Sequence, residues 1–275
     1  MSKSTNTKMN EEKLGEFIAV STGMNLGGQI SVIAKDYIQK ADVVYALMPH
    51  TLAERWLERL NPNLKSLQPF YGVGKYRMQS YEEMIEAMMD EVREGKKVCG
   101  AFYGHAGVFA CVPRLTIDKA RKEGFRALME PGISAEACLY ADIGIDPGVH
   151  GIQGYEASQF LFYNQSVNNA AYAIMWQIGI VGEHTATQFE TRPEWVEVFV
   201  ERLEEWYPLS HEVILYEAAV LPIEEPRIER LQLKDLPQAE MSTKSTLVIP
   251  PARELELNIE VLERMGLKPE DIAHG

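Results

Sequence analysis

Three tyrosines and an arginine lie close together at residues 71–81: Tyr71, Tyr76, Arg77 and Tyr81. A phenol is a weak acid with a pKa of about 10, and a neighbouring guanidinium, which stays cationic, favours its ionised form. Such a group could take up or pass on a proton. The same residue types also occur in solvated loops, where an apolar body packs on the protein and a polar tip stays in water. The segment on its own leaves both interpretations open.

A second segment, Tyr-Gly-His-Ala-Gly-Val-Phe at residues 103–109, has the composition of a ligand-binding turn. It follows an apolar run at residues 97–102 that predicts a buried strand, and a helical pattern begins near Pro113. Glycines at the end of a strand let the backbone turn sharply and approach a ligand closely. Ligands of open α/β sheets bind at that end of the strands. The turn therefore predicts a small-molecule site.

The composition is that of an acidic globular protein. The chain has 275 residues, of which 46% are hydrophobic, and a formal net charge of -13 at pH 7. Because such a surface repels phosphate, we expect no nucleic acid or anionic membrane as a partner. Cys99, Cys111 and Cys138 lie in apolar surroundings without a CxxC motif, which predicts reduced thiols. Neither a signal peptide nor a run of ~18 apolar residues is present, so we expect a cytoplasmic protein.

Strand and helix patterns alternate through the first half of the chain. Strands are predicted at residues 17–20, 43–47, 97–102 and 127–129, and helices at residues 30–39, from 51, 80–94, 113–123 and 134–142. The pairs Thr51 with Glu54 and Ser80 with Glu83 have the spacing of capping boxes at two helix starts. This order predicts a mostly parallel sheet with helices on both faces.

The second half predicts more antiparallel pairing. Long strand patterns lie at residues 173–180, 213–217, 227–233 and 245–249, around a helix at 195–206. Proline and glycine at residues 146–148 indicate a boundary between two domains. The expected organisation is a disordered lead-in at 1–15, an N-terminal α/β domain at 16–146, a mixed α/β domain at 147–252 and a tail at 253–275.

Several common motifs are absent from the sequence. Gly23, Gly27 and Gly28 do not form the GxGxxG fingerprint of dinucleotide binding, and no P-loop lysine motif occurs. The six histidines show neither HxxxH nor HExxH spacing, so we expect no metal site. Ser134 does not lie in a GxSxG elbow, which argues against a serine hydrolase.

Seven short segments, taken in order, resemble one family. They are YGHAGVF at 103–109, PGISAE at 131–136, DPG at 146–148, YEAS at 155–158, WQI at 176–178, YEA at 216–218 and STLVIPP at 245–251. Their combination is similar to the tetrapyrrole-methylase superfamily, and the YGHxGVF and YEAS forms resemble its borosin peptide backbone α-N-methyltransferases. The resemblance covers residues 15–252. It implies a two-domain tetrapyrrole-methylase-like α/β fold that binds S-adenosylmethionine (SAM) between the domains.

The resemblance also implies which residues bind the cofactor. Ten positions match the family's SAM pocket: Tyr103, His105, Val108, Phe109, Ser134, Ala135, Gln177, Tyr216, Ala218 and Thr246. The product would be S-adenosylhomocysteine, and no metal is implied. Ala106 stands where the family usually has proline, so we expect a looser turn. On this basis Ala106→Pro should be tolerated or should tighten SAM binding.

Tyr71, Arg77 and Tyr81 match the family's catalytic positions. A peptide nitrogen is a poor nucleophile because its lone pair is delocalised into the carbonyl. Its methylation requires loss of the N–H proton while charge develops on the oxygen. We expect Tyr81, aided by Arg77, to act as the base or within a proton relay, and Tyr71 to donate a hydrogen bond to that oxygen. The sequence does not decide which tyrosine accepts the proton.

The implied function is iterative SAM-dependent α-N-methylation of a borosin precursor peptide, in the biosynthesis of a ribosomal peptide natural product (RiPP). Fused borosin enzymes carry their substrate on a long C-terminal extension, whereas this chain stops soon after Pro251. It therefore resembles the split type, whose precursor peptide is a separate small protein. The family implies a homodimer that binds two precursors as a heterotetramer. Two alternatives stay open: a corrin or porphyrin C-methyltransferase, and a peptide-binding homologue without catalysis.

Overall fold

The structure, a computed structural model, describes residues 15–72 and 74–272. The expected disordered lead-in at residues 1–15 lies outside the described residues, apart from Gly15. The described residues form two compact units. The first contains the chain up to Cys138 together with Val220–Glu224, and the second contains Leu139–Ala219 and the chain from Glu225 onward. The predicted domain boundary at residues 146–148 lies in the second unit, where Asp146 caps a one-turn helix.

The first unit is built on a five-stranded parallel sheet, which confirms the predicted architecture. Its strands are β1 (Glu16–Ser21), β2 (Val43–Leu47), β3 (Leu64–Ser66), β4 (Lys97–Phe102) and β5 (Arg126–Met129). They lie in the order β3-β2-β4-β1-β5, and all neighbours are parallel. The helices are α1 (Val32–Lys40), α2 (Thr51–Glu58), α3 (Arg77–Arg93), α4 (Cys111–Lys122) and α5 (Ala135–Ile143), the last of which continues into the second unit.

The sheet is buried on both faces, as parallel sheets generally are. Successive side chains of a strand point to opposite faces, so Phe17 and Ile18 of β1 belong to different apolar clusters. Phe17 packs in the cluster that includes Met88 of α3. Ile18 packs in the cluster of Ile38 and Leu57, from α1 and α2. Helices therefore cover both faces of β1.

Two helix starts differ from the predicted capping boxes. α2 is capped by His50, whose Nδ1 accepts a backbone hydrogen bond at 3.1 Å, and Thr51 is its first helical residue. α3 begins at Arg77, three residues before Ser80, which is buried in the first turn. Arg77, which lay outside the predicted helix at 80–94, is therefore on the same helix as Tyr81. Residues four apart lie on the same helix face.

The second unit contains a mixed sheet, as expected. Its strands are β6 (Ile152–Glu156), β7 (Tyr172–Trp176), β8 (Glu212–Glu217), β9 (Arg227–Gln232) and β10 (Thr246–Ile249). Their order is β6-β7-β10-β8-β9; β6 and β7 are parallel, and the other pairs are antiparallel. The helices are α6 (Pro147–His150), α7 (Ala157–Phe162), α8 (Pro193–Leu203) and α9 (Ile259–Met265).

The strand predicted at residues 173–180 is shorter in the structure. β7 ends at Trp176 because Gln177 has a φ of 60°, in the left-handed region, and a 3₁₀ turn follows at Ile178–Ile180. The apolar run continues through that turn because Ile178 is also a core residue. Hydrophobicity alone could not show where the strand stops. Within residues 15–72 and 74–272, no helix combines the length and hydropathy needed to cross a membrane.

Candidate active site

The glycine turn after β4 is held against the turn after β1. Gly23 and Gly104 exchange two backbone hydrogen bonds, with N···O distances of 3.2 and 2.8 Å. Both residues have positive φ, 76° and 64°, which only glycine adopts without strain. A Cβ on Gly23 would also overlap the side chain of Gln29. The turn predicted to bind a ligand thus forms one unit with a second turn, and both depend on glycine.

Ser21, the last residue of β1, joins the ends of three strands. Its hydroxyl accepts a hydrogen bond from the Ala106 N–H at 2.9 Å and donates one to the Glu130 carbonyl at 3.0 Å. A Cβ on Gly132 would overlap the Cβ of Ser21, so the loop after β5 packs directly on it. Ser21 is buried. The sequence analysis missed this residue because a single serine at a strand end forms no pattern.

The contact of Ala106 corrects the expectation of a loose turn. Ala106 is fully buried and its N–H is the donor to Ser21. Proline has no N–H, so Ala106→Pro should lower the free energy of unfolding by about 1 kcal/mol and should not tighten SAM binding. Urea unfolding measures the first effect. If loss of the hydrogen bond to Ser21 is the cause, Ala106→Pro should cost almost no stability in a protein that already carries Ser21→Ala. A double variant whose loss of stability equals the sum of the two single losses would contradict this explanation.

The first unit carries six of the ten residues predicted to bind SAM, on two loops at the carboxyl edge of its sheet: Tyr103, His105, Val108, Phe109, Ser134 and Ala135. Tyr103, Val108 and Phe109 are 46%, 38% and 52% exposed, so they form surface and not core. Phe109 has a φ of 51°, which is rare for a bulky residue. Strained backbone of this kind is often retained at functional sites.

The loop between β4 and α4 is fixed by its own hydrogen bonds, and the start of α5 offers backbone groups to a ligand. The Gly107 N–H donates to Nδ1 of His105 at 2.9 Å, and a Cβ on Gly107 would lie 2.9 Å from Sδ of Met129. Ser134 caps α5 by accepting a hydrogen bond from the backbone N–H of Ala137 at 3.4 Å. The first N–H groups of a helix have no partner within the helix and can donate to polar groups of a ligand. The exposed apolar side chains beside them suit a nucleoside, so the residues fit SAM.

The two predicted catalytic tyrosines lie together in the first unit. The rings of Tyr71 and Tyr81 are edge to face, with centroids 6.3 Å apart and planes at 84°. Tyr71 follows the 3₁₀ turn Gln68–Phe70, and Tyr81 lies one turn into α3. Both pack on the same apolar cluster, and Tyr103 is close enough to influence the ionisation of both. Tyr103, a predicted cofactor residue, therefore lies near the predicted catalytic pair.

The surroundings distinguish the two phenols. Burial raises the pKa of Tyr71 well above its usual value, and its hydrogen bond to Tyr81 raises it further. Burial also raises the pKa of Tyr81, but Arg77 and the hydrogen bond from Tyr71 act in the opposite direction. These opposing effects indicate that Tyr71 is the donor, so Tyr81 is the phenol that ionises first.

Comparison with known proteins places the chain in a family. The sequence profile described as Tetrapyrrole (Corrin/Porphyrin) Methylases matches residues 16–237. The chain belongs to this family. Two solved structures of low sequence identity share the fold of this chain. Diphthine synthase has a TM-score of 0.60 at 15% identity, over 93% of this chain and 98% of its own. Uroporphyrin-III-C-methyltransferase from Thermus thermophilus has a TM-score of 0.60 at 16% identity, over 94% of this chain and 99% of its own.

Relatives of higher identity confirm the borosin resemblance. A methyltransferase/ribosomally synthesized cyclic peptide gymnopeptides precursor of Gymnopus fusipes is 36% identical over 95% of this chain and 63% of its own length. A methyltransferase/ribosomally synthesized type I borosin cyclic peptide precursor of Coprinopsis marcescibilis is 38% identical over 93% of this chain and 68% of its own length. The chain spans about two thirds of the length of these relatives.

In the second unit, the fold brings together the four other residues predicted to bind SAM: Gln177, Tyr216, Ala218 and Thr246. Gln177 follows β7, Thr246 begins β10, and Tyr216 lies opposite Thr246 on β8. Because β10 is antiparallel to both of its neighbours, the end of β7, the start of β10 and the end of β8 lie at the same end of the sheet. Tyr216 is buried, and its hydroxyl donates to the Asp142 carboxylate at 2.7 Å.

Glu217, which the sequence analysis did not assign, fixes that edge. Its carboxylate accepts hydrogen bonds from the hydroxyls of Ser245 at 2.6 Å and Ser242 at 2.9 Å, and pairs with Arg227 at 3.3 Å. Burial opposes its ionisation, but the two hydroxyls and the nearby cations outweigh it and lower its pKa. A Cβ on Gly179 would overlap the Ser242 carbonyl, so the turn after β7 packs on the same segment.

Glu217→Gln should change the pH dependence of stability. The pKa of Glu217 is lower in the folded protein than in the unfolded chain, where it is about 4.3. The ionised carboxylate therefore stabilises the fold fully above the unfolded-state pKa, and this stabilisation is lost as the pH falls through the folded-state pKa. Urea unfolding should show a variant less stable at neutral pH by about 1 kcal/mol, allowing for partial solvent screening. The difference should shrink in acid. Glu212 forms an exposed ion pair with Arg230, so Glu212→Gln is the matched control. It should change neither the stability at neutral pH nor the pH dependence of stability.

Proposed function

We propose that this chain is a SAM-dependent methyltransferase that acts iteratively on backbone amides of a borosin precursor peptide, in ribosomal peptide natural-product biosynthesis. The observation that carries the proposal is the edge-to-face pair of Tyr71 and Tyr81, with Arg77 on the same face of α3. Two phenols with different ionisation beside a guanidinium suit an acceptor that must lose a proton before it can attack. An amide nitrogen is such an acceptor.

Tyr81 accepts the amide proton in the proposed reaction. Arg77 stabilises the phenolate, and Tyr71 reduces the charge on the Tyr81 oxygen by donating a hydrogen bond. As the nitrogen loses its proton, negative charge develops on the amide oxygen. Tyr71 has a single O–H, so its hydroxyl would turn from Tyr81, which now carries the proton, and donate to the amide oxygen. Burial of both phenols strengthens these interactions, because little water competes for them.

The ten predicted cofactor residues are those we propose to bind SAM, which supplies an electrophilic methyl group on a sulfonium. In the first unit, the exposed rings of Tyr103 and Phe109 would cover the nucleoside, and the N–H groups at the start of α5 would bind its polar atoms. In the second unit, the Gln177 amide offers both a donor and an acceptor. These residues hold the methyl donor in place, while the proton is handled by Tyr81.

The precursor peptide is proposed to be a separate protein. The relatives join a methyltransferase and a precursor in one protein by name. For this chain we propose, from its resemblance to the split borosins, action in trans by a homodimer that binds two precursors as a heterotetramer. Peptide that stays unmodified when added separately, but is modified when fused to the chain, would contradict this part of the proposal.

The experiment is to incubate the protein with SAM and the small protein encoded beside its gene, and to measure the peptide by mass spectrometry. Several methyl-sized increments that fragment onto backbone nitrogens support the proposal. Methylation of a tetrapyrrole in place of the peptide would contradict it and support a corrin or porphyrin methylase. Binding of the peptide without transfer would indicate a homologue that has lost catalysis.

A further inference from the structure

Lys75 lies between the two predicted catalytic tyrosines in the sequence, and none of the roles above uses it. It belongs to the connection from the 3₁₀ turn Gln68–Phe70 to α3, directly before the N-cap residue Tyr76. Its side chain is 22% exposed, whereas lysine side chains usually lie in solvent. A lysine withdrawn this far from water is held by specific contacts.

The ammonium group of Lys75 bridges the two segments that carry the tyrosines. Its Nζ donates hydrogen bonds to the carbonyl of Phe70 at 2.9 Å and to Oε2 of Glu83 at 2.5 Å. Phe70 directly precedes Tyr71 in the chain. Glu83 lies on α3, two residues after Tyr81. The bridge therefore joins the backbone before one phenol to the helix of the other.

The acidic end of the bridge is itself fixed. The second carboxylate oxygen of Glu83, Oε1, accepts a hydrogen bond from Nε2 of Gln79 at 3.3 Å, one turn earlier on α3. The hydrogen bond from Lys75 lowers the pKa of Glu83, so the carboxylate is ionised at neutral pH. Hydrogen bonds between charged groups are shorter and stronger than neutral ones. Glu83 thus gives Lys75 a defined anchor on the helix.

The other end of the bridge controls the orientation of a single peptide group. The Phe70 carbonyl, which accepts from Lys75, and the Tyr71 N–H belong to one peptide plane. That N–H donates to the Gln68 carbonyl at 3.1 Å. Lys75 and Gln68 therefore hold the two polar groups of the peptide that precedes Tyr71. Rotation of this plane would swing the Tyr71 side chain relative to α3.

We infer that Lys75 is a positioning residue, whose ammonium group holds the peptide before Tyr71 against α3 and so keeps the Tyr71 hydroxyl in reach of Tyr81 and of the amide oxygen. This inference rests on the proposed function. Lys75 acts through Tyr71 and contacts none of the reacting atoms. Small displacements matter for such a group, since a misplacement of about 1 Å can cost roughly 10²-fold in rate.

The first test is the rate of methylation of the separate precursor peptide. Lys75→Met keeps the unbranched apolar stem and removes the N–H donors. It should lower kcat on the order of tenfold and leave SAM affinity and KM for the peptide unchanged. Lys75→Arg keeps a cation that can donate to both partners, so it should restore most of the rate.

Lys65→Met is the matched control. Lys65 of β3 also pairs with a glutamate of α3, Glu91, and it has no hydrogen bond to Phe70. This variant should retain kcat, with stability measured for both variants by urea unfolding. Full kcat in Lys75→Met, or an equal loss of kcat in Lys65→Met, would overturn the inference.

A double variant separates positioning from general damage to the fold. In a protein that already carries Tyr71→Phe, no hydroxyl is left for Lys75 to position. Lys75→Met should therefore lower kcat little further in that protein. A loss as large as in the unmodified protein would contradict a role that acts through Tyr71.

The second test needs no catalysis. Nuclear Overhauser effects between the rings of Tyr71 and Tyr81, whose centroids lie 6.3 Å apart, report their distance directly. The signals are assigned with the Tyr71→Phe and Tyr81→Phe variants. We expect these effects to weaken in Lys75→Met and to persist in Lys75→Arg and Lys65→Met. Undiminished effects in Lys75→Met would overturn the inference.

The two tests also distinguish this inference from the proposed function. If the unmodified protein methylates the peptide and no Lys75 variant changes kcat, the positioning role fails and the proposed function stands. If the unmodified protein methylates no peptide, the proposed function fails. The Overhauser measurement then still decides whether Lys75 holds Tyr71 against α3.

Discussion

Tyr81→Phe is expected to lower the rate of methyl transfer by about 10²–10⁴-fold, the usual contribution of a positioned base. The substitution removes one hydroxyl and keeps the ring that packs edge to face on Tyr71. SAM affinity, measured by calorimetry, should therefore stay unchanged. Tyr76→Phe is the matched control, because Tyr76 is 53% exposed at the N-cap of α3 and should retain full activity.

The pH dependence of the rate provides a second test of the same role. The pKa of Tyr81 is raised by burial, so its phenolate is the minor form at neutral pH, and the rate should increase through the alkaline range. Arg77→Ala removes the cation that opposes this shift. The profile of that variant should move to higher pH, with a loss of about tenfold at fixed pH for each unit by which the pKa rises.

Arg77→Ala should leave SAM binding largely intact, because the proposed role of Arg77 lies with Tyr81. Full methyl transfer in Tyr81→Phe or in Arg77→Ala would exclude these residues from the chemistry. A Tyr71→Phe variant that loses more rate than Tyr81→Phe would reverse the assignment of donor and acceptor.

Gly132→Ala should destabilise the first unit by about 1–3 kcal/mol, the cost of forcing an extra methyl group into a packed site. The new Cβ would overlap that of Ser21, which joins the loops after β4 and β5. Movement of either loop displaces residues proposed to bind SAM, so SAM affinity should fall together with stability. Calorimetry and urea unfolding measure the two effects.

Gly72→Ala is the control for the glycine effect, since its Cβ would lie 3.5 Å from Lys75, an ordinary contact, and no positive φ is required there. It should retain both stability and SAM affinity. If Gly132→Ala also retains both, the loop after β5 does not depend on close packing against Ser21. A variant that keeps its stability but loses SAM affinity would instead indicate a direct contact of Gly132 with the cofactor.

Most strands could be predicted from the sequence because buried strands form short apolar runs bounded by polar or glycine residues. β2 agrees with its prediction at both ends, and β4 does as well. The predicted start of α3 was wrong. Ser80 and Glu83 have the spacing of a capping box, but the backbone is already helical from Arg77. A spacing pattern cannot show whether a helix begins earlier.

The residues that hold the site together were harder to predict. Ser21 contacts Ala106 and Glu130, both far away in the sequence, and Glu217 contacts Ser242 and Ser245. These hydrogen bonds depend on strand order and register, which no local pattern encodes. The resemblance was enough to predict that Tyr71 and Tyr81 act together. The difference between their pKa values could be inferred only from the structure, which gives the position of Arg77 and the hydrogen bond between the two phenols.

The most direct test of the central claim is the chemical identity of the transferred methyl group. The protein is incubated with SAM carrying a ¹³C-labelled methyl group and the separate precursor peptide, and the product is examined by carbon–proton correlation NMR. The account predicts labelled signals of N-methyl amides, coupled to the neighbouring α-carbon and carbonyl, and their loss in Tyr81→Phe. Labelled methyl groups on carbon or oxygen, or N-methyl signals that persist undiminished in Tyr81→Phe, would contradict it.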